Sequence, residues 1–116
     1  MKFILALAHF LFSTSIFAAA KGDDFKEKYL FTHLPKAKAH PSKDEVSKCF
    51  KFNKPSKEVL QSYQSCRKDP KLPAPLDEAM GTCVRKDGAN AYFFEDMQEC
   101  NAARDELVEA LADKEN

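Results

Sequence analysis

Glu78-Ala79-Met80-Gly81-Thr82-Cys83-Val84-Arg85-Lys86-Asp87-Gly88-Ala89-Asn90-Ala91-Tyr92-Phe93-Phe94-Glu95-Asp96-Met97-Gln98-Glu99-Cys100 carries one pattern twice. In each copy a glutamate stands five positions before a cysteine and a methionine three before it. Upstream the pattern continues, because the four cysteines sit at 49, 66, 83 and 100, every interval being 17 residues. The third residue before each is Val46, Tyr63, Met80 or Met97, and the fifth is Asp44, Gln61, Glu78 or Glu95. On a helix, a residue three positions before a cysteine shares its face, so each unit predicts one amphipathic helix with its cysteine turned inward.

Turn formers separate the units: Asn53-Lys54-Pro55, Asp69-Pro70 through Pro75, and Asp87-Gly88. Seventeen residues hold one helix and one turn, too few for the helix pairs of common solenoids. The expected fold is therefore all-α, a small disulfide-stabilised bundle of four to five helices built on a 17-residue one-helix cysteine repeat. Ser42 with Glu45 suits a capping box, Ser56 and Asn90 suit helix starts, and Pro75 suits a first helical turn. The last helix should be the longest, with Phe93, Met97, Cys100, Arg104, Leu107 and Leu111 along one face. Gly81, placed inside the third helix, predicts the close approach of a neighbour.

Before the repeats, Lys2, an apolar run from Phe3 to Phe12, and Ala18-Ala19-Ala20 form the three parts of an export signal, with cleavage expected after Ala20. The run is too short and too interrupted by His9, Ser13, Thr14 and Ser15 for a membrane anchor. No later segment is apolar for long enough to span a bilayer after cleavage. The chain divides into a signal peptide (1–20), an N-terminal segment with a short helix near Asp23 to Leu34 and a basic linker (21–41), and the four-cysteine helical domain (42–116). Its expected location is secreted or periplasmic.

Such compartments oxidise thiols, so Cys49, Cys66, Cys83 and Cys100 are expected in two disulfides. In an up-down bundle, alternate helices bring their cysteines to the same end, which favours Cys49 with Cys83 and Cys66 with Cys100. Charge is divided along the chain: residues 21–71 hold 13 basic and 7 acidic side chains, residues 72–116 hold 4 basic and 11 acidic. A basic face for a protein partner or an anionic surface follows, whereas the near-zero total argues against nucleic acid.

The residues singled out for that face are Lys36, Lys38, Lys48, Lys51, Lys54 and Lys57, joined by an aromatic patch at Tyr92, Phe93 and Phe94. No G-x-S-x-G, phosphate-binding glycine loop or H-E-x-x-H is present, and the only histidines after the leader are His33 and His40. The expected function is a small non-enzymatic exported binding or interaction protein without a cofactor. Alternatives are a carrier of a small apolar ligand, from the inward Met and aromatic positions, and a metal-handling protein, from Met80, Met97 and the cysteines.

Overall fold

The structure is a computed structural model and describes residues 19–35 and 44–115. The signal residues 1–18, the linker residues Lys36, Lys38 and His40, and Ser42 of the expected capping box lie outside the described residues. The helical bundle is overturned: the described residues form an antiparallel sheet with one long C-terminal helix and one short helix.

Strands β1 (Ala19–Ala20), β2 (Tyr29–Leu34), β3 (Glu45–Val46), β4 (Phe50–Lys51), β5 (Tyr63–Lys68), β6 (Gly81–Arg85) and β7 (Asn90–Phe94) share one sheet. Their order is β1-β5-β6-β7-β2-β3, with β4 also on β2. Helix α1 spans Lys57–Ser62 and helix α2 spans Met97–Glu115. A 3-10 turn, Gly22–Phe25, leads into β2, so the short helix expected near Asp23 to Leu34 is one turn followed by a strand.

The stretch that opened the sequence reading is a β-hairpin followed by a helix. Asp87-Gly88 makes its turn: Gly88 takes φ 97°, and Asp87 accepts from the Arg85 guanidinium at 2.8 and 2.9 Å and from Ala89 N at 3.1 Å. Arg85 N donates to Ala89 O at 2.7 Å and Gly88 N to Arg85 O at 2.8 Å, closing the end of the ladder. β7 then lies mid-sheet, and alternation sends successive side chains to opposite faces. On one face Ala91 and Phe93 pack with Phe25, Leu30, Phe52, Tyr63, Cys66 and Cys83. On the other, Tyr92 and Phe94 pack with Phe31, Ala79, Cys100 and Ala103.

Coverage on both faces gives β7 a continuous apolar sequence in place of an in-out alternation, which a reader of periodicity takes for something other than a strand. Phe93 stacks on Phe25 at 4.5 Å between ring centres and meets Phe52 edge-on at 5.4 Å. Gly81 is the close approach expected, in a different element. It lies on β6 against Phe25, and a Cβ there would overlap the ring.

The cysteines pair Cys49 with Cys100 and Cys66 with Cys83, not in the alternating scheme expected from a bundle. Cys66 and Cys83 are on adjacent strands, Cα atoms 4.0 Å apart. Cys49 lies in the break between β3 and β4, where it reaches Cys100 of α2 across 6.2 Å. Asp96, rather than Asn90, caps α2 by accepting from Glu99 N at 2.8 Å. Ser56 does cap a helix, accepting from Val59 N at 3.2 Å, but that helix ends after six residues. Pro75 lies in a loop instead of opening a helix.

Candidate functional site

The aromatic turn is not a surface. Tyr92 is 9% exposed and Phe93 and Phe94 are fully buried, because strand alternation and two covered faces take all three rings inward. The described lysines of the expected basic face do not form one patch. Lys51 sits 3.2 Å from Glu27 and 6.0 Å from the centre of the Tyr29 ring, and the Glu27 carboxylate holds its pKa above the usual lysine value. Lys54 occupies a turn at φ 42°, Lys48 borders a hollow with Cys49, Met97, Asn101 and Arg104, and Lys57 belongs to a different hollow at the far edge of the sheet. The charge division of the sequence is bridged by Lys28 and Glu95 at 2.9 Å.

A polar hollow of about 490 Å³ lies where β2 meets β3, lined by Thr32, Leu34, Asp44, Glu45, Val46, Ser47 and Arg85. Beside it His33 Nε2 and Asp44 Oδ1 are 2.9 Å apart, both side chains mostly covered. Ser47 is engaged on both sides, accepting from Thr32 N at 2.8 Å and donating to Lys48 O at 3.0 Å. Arg85 is held by Asp87, whose carboxyl is lowered to about 2 chiefly by that guanidinium. These groups bond to one another and knit the strand ends together. Arg104, the one charge on the inner stripe of α2, donates to Ser47 O at 3.0 Å and meets Asp105 at 3.3 Å.

The second hollow, about 370 Å³, lies at the opposite edge and is built from three elements that meet on β5. Strand β1 is the outermost strand and pairs by two residues only, Ala19 with Arg67 and Ala20 with Cys66. Behind it the 3-10 turn brings Gly22 within 3.6 Å of Leu60 and Tyr63, measured from where a Cβ would stand. Helix α1 supplies Lys57, Leu60 and Gln61. The β5 ladder is irregular between Gln64 and Arg67, and Ser65 takes φ 50° there. A bulge of this kind bends an edge strand and re-aims its side chains.

Tyr63 and Cys66, three apart, consequently face the same core while Gln64, Ser65, Arg67 and Lys68 are exposed. Burial pushes the Tyr63 phenol pKa up, with Arg85 pulling it down. Lys21 N donates to Asp24 Oδ2 at 2.9 Å, and Asp23 is paired with Lys26 at 2.7 Å. The edge thus joins an apolar floor of Ala20, Leu60, Tyr63 and Cys66 to the lysines 21 and 57 and to Arg67.

Of this edge site, the sequence alone singles out Lys57, the cleavage point at Ala20 and Tyr63 as an inward position, and gives no signal for Leu60, Ser65 or Arg67. The signal for β5 was its composition, Tyr63-Gln64-Ser65-Cys66-Arg67-Lys68, which is exposed and polar at four of six positions.

Comparison with known protein families, characterised proteins and solved structures returns no match. All four cysteines are in disulfides, so none is a thiolate for a soft metal. Among the described residues no three His, Cys, Asp or Glu side chains gather around a common metal position. No helix among them is long and apolar enough to cross a membrane.

Proposed function

We propose that the chain is an exported interaction protein, located outside the cytosol, that binds an extended segment of another protein at the β5 edge of its sheet. The observation that carries this reading is a coincidence of position. The expected export cleavage, after Ala20, falls at the end of β1, the strand that covers β5. Removal of residues 1–20 takes β1 away and leaves the outer backbone groups of β5 near Cys66 and Arg67 without a strand partner. An exposed edge pairs readily with another chain, main-chain hydrogen bonds giving affinity and flanking pockets giving selectivity.

Two features support a receptive edge over a merely bare one. The bulge at Ser65 lies beside the Cys66–Cys83 disulfide, which ties β5 to β6 and so holds the edge strand in place before binding. Arg67, Lys57 and Lys21 add positive charge, which speeds encounter with an acidic or carboxylate-bearing segment. The two disulfides suit an oxidising compartment.

A photocrosslinking amino acid placed at Arg67, compared with one at the exposed Val108 of α2, tests the reading in the exported protein. Capture of a defined partner from position 67 and not from 108 is expected. Capture from 108 alone would contradict it.

A further inference from the structure

We infer that the β5 edge recognises a free C-terminus, the last residues of a partner protein that end in a small side chain. This rests on the proposal that the leader is cut after Ala20. It follows from what the cut does chemically at the end of the strand seat.

In the uncut chain the seat is filled by Ala19 and Ala20, antiparallel to β5. Hydrolysis adds one water across the bond between Ala20 and Lys21: the Ala20 carbonyl carbon gains the oxygen and becomes a carboxylate, and the Lys21 nitrogen becomes an ammonium. Before the cut that nitrogen has one proton, committed to Asp24 Oδ2 at 2.9 Å. Afterwards it has three donors, of which Asp24 engages one. The other two stand where the carbonyl end of the departed strand had been.

A partner strand in the same direction therefore meets a positive charge at its C-terminal end. A chain that continues past this point runs into the new ammonium and must turn away, whereas a chain that stops there sets its carboxylate against it in a charge-assisted hydrogen bond. Lys57 lines the same hollow. Of the two acidic neighbours, Asp23 is paired with Lys26 at 2.7 Å and Asp24 is the ammonium's existing acceptor.

The two positions ahead of the carboxylate lie opposite Cys66 and Arg67, and in the uncut chain they hold alanines. The last of these, Ala20, packs against the core and lines the hollow with Gly22, Leu60 and Tyr63, so an alanine-sized side chain occupies that place in the uncut chain. The occupant is assigned to a partner protein, with the released leader as the competing occupant that the test distinguishes.

The test uses the exported, processed protein and three fluorescent peptides: an octapeptide finishing in Ala-Ala with a free carboxylate, the same octapeptide amidated, and the same sequence extended by Lys-Gly. Intact mass should first place the N-terminus at Lys21, and a start that retains Ala19 and Ala20 would overturn the cleavage reading itself. With that start confirmed, the free acid is expected to bind at least tenfold more tightly than the amide or the extended peptide. Acetylating the α-amine of Lys21 should abolish the preference, and a chain that keeps β1 should bind none of the three.

Equal binding of acid and amide would overturn chain-end recognition while leaving strand addition standing. Failure of all three to bind the processed protein would overturn both. A leader fragment retained in native mass spectra of the exported protein would overturn the assignment to a partner.

Discussion

Gly81 and Phe25 occupy space that a single added methyl cannot share: the Phe25 ring lies where a Cβ on β6 would project, stacked on Phe93 behind it. The ring is fully buried and has neighbours on every side, so it cannot swing out to make room. Gly81→Ala is expected to lower stability by about 1 to 3 kcal/mol, as overpacking does in a filled core, and thermal unfolding would show it as a lower midpoint. An unchanged midpoint would mean that the ring does not pack there.

Asp87 is the other residue whose single atoms have a measurable consequence. Its carboxyl is lowered from 3.8 to about 2, so the folded state favours the charged form and gains stability that is complete above the unfolded carboxyl range. That stability is lost as pH falls through about 2. Because the side chain is 47% exposed, solvent screens the pair and its contribution is about 0.5 to 1 kcal/mol. Asp87→Asn should therefore lower stability at pH 6 by that amount and make stability fall less steeply between pH 5 and pH 2, as read by denaturant titration.

Between residues and fold, the elements explain why the chain reads as helical and is not. Tyr63 and Cys66 share a face, as a helix would have it, because the bulge at Ser65 breaks the strand's alternation. Val46 and Cys49 share the other face because β3 stops and β4 begins between and beyond them. Met97 and Cys100 do lie on one helix, α2, but Met97 is 37% exposed while Cys100 is fully buried, so even there the spacing does not mark an inward pair. Different local geometries thus produce one sequence spacing, and periodicity cannot separate them.

The hairpin was the legible exception. Asp87-Gly88 between Thr82-Cys83-Val84 and Ala91-Tyr92-Phe93 is a hairpin signal, which the helical expectation takes only as a break between two helices. The long final helix, the Ser56 cap and the participation of all four cysteines in disulfides were legible. The pairing was not, since it depends on which elements are neighbours.

At this scale the crosslinks have distinct duties: Cys66–Cys83 pins two strands and Cys49–Cys100 pins α2 to the sheet. The loops closed are 17 and 51 residues, so chain entropy assigns them about 3 and about 4 kcal/mol respectively. Paired Cys→Ala replacements should show that order in denaturant midpoints. Non-reducing peptide mapping should recover those two crosslinks, and a Cys49 to Cys83 fragment would contradict the fold.

For the whole molecule, the topology places β1 at one edge of the sheet and α2, tied by Cys49–Cys100, against β2 and β7 toward the other, so that the proposed binding edge and the helix are at separate places. The candidate site was only partly legible because its parts, Ala20, Gly22, Leu60, Tyr63 and Arg67, are joined by strand pairing and by a bulge, neither of which leaves a local motif. Amide hydrogen exchange across residues 63–68 of the processed protein, with and without the Ala-Ala free-acid peptide, tests strand addition at β5 most directly. The peptide is expected to slow exchange at this edge and leave α2 unchanged; exchange on β5 that is indifferent to the peptide, or protection appearing on α2 instead, would contradict it.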